Sequence, residues 1–537
     1  MRDAGALVGW RSKKSGERRS KTSIRPKKGL YNRCVTNKNK ALSTETIHLQ
    51  SSLRPDLTPV LRNRDHLRVL EDLTKLDQDL RSSGLEALAM SLALEGLDES
   101  ASFAQRNKRC EFAIYSLRAE LLRHMLGVPS FEAFSVTLST SDLFSDFCGC
   151  RQIDGIRWTS KSTLHRASTF FDDAQLRKLN TLLVEALGGA HGATPLGLEQ
   201  PEGMSVCLID STCLKADIHF PVDWVLLRDV SITLLKGIRL IRKEGLLHRM
   251  PYEAEKFIRD MNKLSIEMTH ARRRVGALKE RKKILRKMKK LMRRIGEHAQ
   301  RHRDLLDAKF EQTDLSRAQA NRILARIDEQ LDLLPKVIEQ AHERIIGERK
   351  VKNEDKILSA HEPDIDVIVR GKAGAQVEFG NELFLAESLR GLIIDYKLYG
   401  RSAPSEGLKM QESVERLEEL DLPDDLEYMV ADRGFDSQAS EDFLAKHNVE
   451  SMICPKDPQR LRERLKEEKF RQLQTRRGGT EARIGILKNH TGSQVWRAKG
   501  LEHRKLAVGW SVLAHNLQWL ARQVREQEKQ EALAKSA

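Results

Sequence analysis

Cysteine is scarce in this chain. Seven residues in 537 (Cys34, Cys110, Cys148, Cys150, Cys207, Cys213 and Cys454) are scattered and odd in number. That excludes a disulfide-stapled scaffold and fits a reducing cytoplasm. Long apolar runs are missing too. The nearest candidate, Leu506 to Ala521, is too short and carries His515, Asn516 and Gln518, so no membrane-spanning protein is expected. The first 40 residues are basic but contain no apolar stretch, and no secretory signal is expected. No repeat of 20–50 residues is evident. The 16 histidines offer no His-x3-His pair that reads as a metal site, and Cys148-x-Cys150 lacks a second ligand pair, so both cysteines are read as structural. What the chain does have is length for two to four domains and 40% hydrophobic residues, enough for at least one real core.

Charge is unevenly placed. The formal net charge is +16. Residues 1–40 hold 13 Lys/Arg against Asp3 and Glu17, and residues 271–300 hold 13 against Glu280 and Glu297. Each segment is therefore +11, and the remaining 467 residues net about −6. Concentrated positive charge points to a polyanion partner, most often nucleic acid. A solvated tail and a solvated helix face are the plainer reading. Acidic membranes fit less well, because neither segment pairs its charge with a Trp/Phe/Leu face.

The pattern along the chain is α/β. Residues 1–45 read as a disordered basic tail: either a nucleic-acid-binding arm or a product of a start codon placed too far upstream. Residues 46–200 read as helical, with a Leu70, Leu73, Leu76, Leu80 stripe and a helix start at Ser162 or Thr163. Met204 to Asp210 reads as a buried strand ending on an acid. Residues 223–350 read as a long antiparallel helical hairpin with a basic first arm, and Pro335 should kink its second helix. From 355 the pattern turns to strands: 366–370, a turn, 376–386 and 392–398 form an expected β-meander, followed by a helix at 408–420 and strands at 426–431 and 450–454. The stretch 480–533 reads as mostly helix, and 526–537 as a C-terminal tail.

Two acids stand out by context. Asp210 follows one apolar strand in Leu-Ile-Asp-Ser-Thr, and Asp432 follows another in Met-Val-Ala-Asp-Arg-Gly-Phe. A carboxylate at the rim of a sheet needs a cation. A third segment, Arg477-Gly-Gly-Thr-Glu481 through Lys488, reads as a helix capped by Thr480 behind two glycines. Glu481 and Lys488 are seven apart and share a face, with Gly485 between them. Trp496 reads as core, or as a platform for an extruded base.

Together these segments resemble the DDE transposases of bacterial insertion sequences, in the group marked by a Tyr-x2-Arg-x3-Glu-x6-Lys signature. Arg477, Glu481 and Lys488 match at that spacing, while Gln474 stands where the signature has Tyr. Asp210-Ser-Thr resembles the first acidic motif and Asp432-Arg-Gly-Phe the second. His361-Glu-Pro, Arg370-Gly-Lys372 and Val377-Glu-Phe-Gly380 resemble the family's strand segment, and Phe147-Cys-Gly149 with Ser162-Thr-Leu-His-Arg166 its N-terminal helical region. The likeness covers roughly residues 65–525 and is closest to an ISNCY-like subgroup with a long helical insertion.

The resemblance implies an RNase H-like catalytic core (201–222 and 351–525) interrupted by the helical hairpin (223–350), behind a helical DNA-binding region (46–200). It implies Asp210, Asp432 and Glu481 as catalytic residues and ligands of two Mg²⁺, with Mn²⁺ as a substitute. Asp210 would bridge both ions, Asp432 would hold one and Glu481 the other, stabilising attacking and leaving oxygens of a phosphoryl transfer. Arg477, Lys488, Arg433 and Lys372 would contact DNA. The implied activity is cleavage at the element's own terminal inverted repeats and joining to target DNA. A homodimer in the synaptic complex, no membrane partner and a cytoplasmic, nucleoid-associated location go with it. The alternatives are an inactive DNA-binding relative and an RNase H-like nuclease without strand transfer.

Overall fold

The computed structural model describes residues 64–152, 155–156, 159–189, 193–372, 375–422, 426–492 and 497–536. The expectations for residues 1–45 and Trp496 lie outside them, as does the side chain of Lys372.

Local signals set the first helices. α1 (Arg64–Ser82) buries Leu73, Leu76 and Leu80 and leaves Leu70 of the expected stripe exposed. α2 (Leu85–Glu95) follows Gly84, whose φ of 78° turns the chain sharply. α3 (Phe103–Met125) begins in a capping box of Ser102 and Gln105. α4 (Phe131–Thr140), α5 (Asp142–Phe147) and the short β1 (Arg151–Gln152) and β2 (Gly155–Ile156) lead to α6 (Lys161–Ser168) and α7 (Asp173–Gly188). α6 is capped by Ser160, not by Ser162 or Thr163: the Ser160 hydroxyl accepts from the Thr163 backbone N–H at 3.2 Å. The serine two residues upstream holds the extended backbone that a cap requires.

Among the described residues the main sheet has six strands. β3 (Val206–Lys215) is central, with β5 (Ala375–Ser388) antiparallel on one side and β7 (Tyr428–Ala431) parallel on the other. β8 (Glu450–Ile453) continues parallel beyond β7. The far edge of β5 is shared end to end by β4 (Asp366–Lys372) and β6 (Ile393–Leu398), both antiparallel to it. The parallel pairs require crossovers: α12 (Glu406–Glu418) precedes β7, and α13 (Gln438–Lys446) joins β7 to β8. α14 (Pro458–Arg464), α15 (Glu468–Asn489) and α16 (Leu501–Ser536) complete the chain.

Two-residue periodicity divides the sheet's faces. Cys207, Ile209, Phe384, Ala386, Met429 and Ala431 point into one core. That same core contains the buried faces of α1–α7 and α16, so the N-terminal helices are continuous with the sheet and share its core. Leu208, Val430 and Met452 point the other way, onto Phe470 and Leu473 of α15. Further along that face, Leu214, Leu383 and Leu385 meet Ile484 and Leu487 of the same helix.

Between β3 and β4 the chain forms a module with its own core. The expected hairpin is two helices of four: α8 (Asp223–Lys243), α9 (Ala254–Arg272), α10 (Leu278–Lys309) and α11 (Arg317–Ile345). Gly245 (φ 81°) and Gly276 (φ 74°) supply the left-handed turns that divide what reads as continuous helix. The module core buries Leu285, Met288, Met292 and Ile295 of α10 and Leu324, Ile327, Ile338, Ala341 and Ile345 of α11. Pro335 lies inside α11 without ending it. No helix among the described residues is long and apolar enough to cross a membrane.

Gly380 marks the tightest approach in the sheet. It pairs with Lys215, and a Cβ there would lie 2.0 Å from the Leu214 carbonyl oxygen. Both neighbours are backbone, so the clash cannot be relieved by a side-chain rotation. Gly380→Ala should cost about 1–3 kcal/mol of unfolding free energy, read as a lower urea midpoint at unchanged slope.

Candidate active site

The two aspartates meet because of strand register. Leu208 of β3 is paired in parallel with Val430 of β7. Two residues further on in each strand direction come Asp210 and Asp432, on strands about 4.8 Å apart. Both share the parity of Leu208 and Val430, so both face α15. β7 ends at Ala431, and the parallel pairing of β3 stops at Leu208. The sheet therefore opens at this point, and a cleft of about 1040 Å³ forms, lined by Asp210, Asp432, Glu481, Gly485 and Lys488 among others.

Asp210 differs from expectation in one respect: it sits inside β3, not at its end. Antiparallel pairing with β5 carries the strand on to Lys215. Its carboxylate accepts from the Ser211 backbone N–H at 2.8 Å. Burial pushes its pKa up to about 6, and the charges of Asp432 and then Glu481 push the same way, against the Ser211 hydrogen bond and the Arg477 charge. Asp432 is half-buried and accepts from the Gly434 N–H at 2.8 Å, which shapes the turn after β7.

Glu481 comes from α15, and here the expected break is absent. The helix runs from Glu468 to Asn489 straight through Gly478 and Gly479, and Thr480 is a mid-helix residue, not a cap. Two glycines cost about 2 kcal/mol of helix propensity relative to alanine. Long-range contacts offset this. Gln474 donates to the Ala431 and Met452 carbonyls at 3.1 and 2.6 Å, pinning the helix to the ends of β7 and β8. The buried Thr480 hydroxyl donates to Glu387 of β5 at 2.6 Å, and Arg483 Nε donates to the same carboxylate at 2.5 Å. Gln474, which replaces the signature tyrosine, thus has a positioning contact of its own, and Arg477 Nε donates to its side chain at 3.4 Å.

The basic residues are dispersed. Lys488 lines the cleft two turns along the same helix face from Glu481 and donates to Thr212 Oγ1 at 3.2 Å and to the Cys213 carbonyl at 2.6 Å. Arg477 is close enough to Asp210 for its charge to lower that pKa, although it is not part of the cleft wall. Arg433 is exposed and also outside the wall. Lys372 ends β4.

Three residues beside the aspartates were not anticipated from sequence. Glu406, at the start of α12, accepts from Ser211 Oγ at 2.7 Å and lines the cleft. Lys409, one turn on and 1% exposed, bridges Glu406 at 3.0 Å and Glu382 of β5 at 2.7 Å. The sequence signal is faint, a Glu and a Lys three apart at a helix start.

The cleft wall holds seven carboxylates (Asp210, Asp217, Glu378, Glu382, Glu406, Asp432 and Glu481) against two lysines, Lys215 and Lys488. Oxygen donors in excess of cations suit a hard divalent ion. Among the described residues no three His, Cys, Asp or Glu side chains converge closely enough to form an assembled ion site. Asp210, Asp432 and Glu481 all line this one cleft. The buried His298 and His302 lie in the module core, where His302 Nδ1 donates to the His298 carbonyl at 2.7 Å.

Comparison with known proteins bears on this cleft. No curated protein and no solved structure gave a match. A family model described as the transposase DDE domain matches residues 357–517, which carry Asp432 and Glu481, while Asp210 lies ahead of the inserted module. That match supports a DDE transposase.

Proposed function

We propose that this chain is a DNA transposase that binds the terminal inverted repeats of its own insertion sequence, cleaves the ends and joins their 3′-OH groups to target DNA. The observation that carries the reading is the parallel β3–β7 register, which sets Asp210 beside Asp432 on the face covered by the Glu481 helix. Strand order supports an RNase H-like core: three antiparallel strands (β6, β5, β3) followed by two parallel ones (β7, β8). The four-helix insertion supports the ISNCY-like subgroup.

In this reading Asp210, Asp432 and Glu481 hold two Mg²⁺, with Mn²⁺ able to replace them. When bound, the ions supply polarisation of the attacking and leaving oxygens. The chain's own residues position the DNA. Lys488 stands beside the carboxylates, held by Thr212 and Cys213. Arg477 offers a guanidinium fork anchored on Gln474. Arg433, exposed outside the cleft wall, and Lys372 add further phosphate contacts. Gly485 has open space where a side chain would stand, so a DNA strand can approach the helix backbone. The N-terminal helices read the element end, and a homodimer brings two ends together on nucleoid DNA.

The test is incubation of purified chain and Mg²⁺ or Mn²⁺ with labelled duplex carrying the element's inverted repeat. Expected products are a cut end bearing 3′-OH and a joined species with target DNA. Hydrolysis without joined product would assign a nuclease instead. A folded chain that binds the repeat and cuts nothing under either ion would sink the catalytic reading.

A further inference from the structure

Helix α10 carries a one-sided charge that the cleft chemistry does not use. Between Leu278 and Ile295 it has ten Lys/Arg and one acid, Glu280. Glu280 is already paired with Arg274 at 2.7 Å. Its antiparallel neighbour α11 is balanced, with five Arg/Lys and five Asp/Glu between Arg317 and Ile345.

The charge is ordered on the surface. Lys279, Lys283, Arg286, Lys287, Lys290 and Arg293 are all exposed, and none has an ion pair among the described residues. At about 100° per residue they fall within one sector of roughly 120°. Ile284, Leu285, Met288, Met292 and Ile295 occupy the opposite side and are buried in the module core. The stripe is therefore locked outward, on a helix that cannot roll without exposing that core. From Lys279 to Arg293 it spans about 21 Å.

Neighbours on the stripe are three or four residues apart and of like sign, so they repel one another. Solvent and salt reduce that repulsion, and a line of anions replaces it with attraction. Duplex DNA presents one phosphate charge per ~1.7 Å of axis, so ~21 Å of duplex offers about a dozen phosphates to six cations. An anionic membrane would need an apolar face beside the charge, and that face is turned inward here.

We propose that the exposed face of α10 is a duplex-DNA backbone-binding surface, separate from the acidic cleft and indifferent to base sequence. The surface holds DNA through phosphate charge alone, so its contribution is salt-sensitive and does not depend on divalent ions. It stands whether or not the cleft cuts DNA.

The test is fluorescence anisotropy of the full chain with a random-sequence duplex, in EDTA, over a salt series. The variant is Lys283→Gln, Arg286→Gln and Lys290→Gln together. A control of equal charge change is Arg322→Gln, Arg326→Gln and Lys336→Gln on α11, all exposed. The stripe variant should flatten the log affinity against log salt slope by about 2.7 and weaken binding at 0.1 M salt by about 500-fold. The control should keep the parent slope, and both variants should melt as the parent does. An unchanged slope in the stripe variant would overturn the proposal. So would an equal loss in the control, which would assign the effect to net charge. Loss of binding to anionic vesicles with DNA binding intact would overturn it in favour of a membrane surface. No element end or divalent ion is present, so failure here leaves the cleavage reading untouched, and failure of cleavage leaves this one untouched.

Discussion

An Asp432→Asn chain should bind element-end DNA as the parent does and cut it about a thousandfold more slowly or worse, a barrier increase of about 4 kcal/mol. The substitution is close to isosteric. The amide oxygen can still accept from the Gly434 N–H, now 2.8 Å from Asp432 Oδ1, so the turn after β7 has no reason to move. What disappears is one negative charge beside Asp210. In the proposed mechanism that charge holds a divalent ion against the phosphate, and an amide is a far weaker ligand for a hard cation. Asp442→Asn, on the exposed face of α13, is the control and should cut normally. The readout is the single-turnover rate at saturating Mn²⁺, with anisotropy reporting binding. Equal rates for parent and Asp432→Asn would remove Asp432 from the chemistry.

The second large effect is on stability in acid. His124 on α3 is fully buried: its Nδ1 donates to the Thr491 carbonyl at 2.6 Å and its Nε2 accepts from Arg123 at 3.2 Å. Burial first, then the Arg123 charge, pushes its pKa down to about 3. His515 on α16 is 2% exposed, and burial pushes it down to about 4. Both folded values lie below the unfolded value near 6.5. Above pH 6.5 both states are neutral and the histidines cost nothing. As pH falls below 6.5, the unfolded chain takes up protons that the folded chain refuses, so stability is lost progressively toward the folded pKa values. Each histidine contributes about 1.4 kcal/mol per pH unit, so the pair removes roughly 5 kcal/mol between pH 6.5 and 4.5. Carboxylates add their own acid dependence, so the deciding measurement is a difference. His515→Gln should reduce the slope of urea-unfolding free energy against pH by about 1.4 kcal/mol per unit across this window. An unchanged slope would mean that His515 titrates normally in the folded state.

Much of the fold is legible from local patterns. The leucine stripe marks α1, because an amphipathic helix must bury one face wherever it packs, while the capping box that starts α3 at Ser102 emerged only from the structure. Short apolar runs mark β7 and β8 for the same reason. Where local rules failed, a distant partner had overruled them. Gly478-Gly479 signals a helix start, yet α15 continues because Gln474, Thr480 and Arg483 are tied to strands 22 to 96 residues away in sequence. Asp210 reads as a strand end, yet β3 runs on because β5 pairs with it as far as Lys215. The insertion reads as two helices, yet ten non-helical residues (244–253) part α8 from α9, and the turn at Gly276 parts α9 from α10.

The candidate site divides the same way. Sequence alone determined which carboxylates follow apolar strands, that Glu481 and Lys488 share a helix face, and that positive charge gathers on what proves to be α10. These are properties of neighbours in the chain. Only tertiary structure decided that Asp210 and Asp432 lie side by side on the α15 face, since strand register depends on hydrogen bonds between segments about 220 residues apart. It alone placed Glu406, Lys409 and Glu382 beside them. It decided as well that Glu362, in the His361-Glu-Pro segment, is a buried partner of Arg504 at 2.8 Å, an ion pair joining the approach to β4 to helix α16. A charge's role is set by what shares its dielectric surroundings, and those neighbours are chosen by packing, over distances that no local pattern encodes.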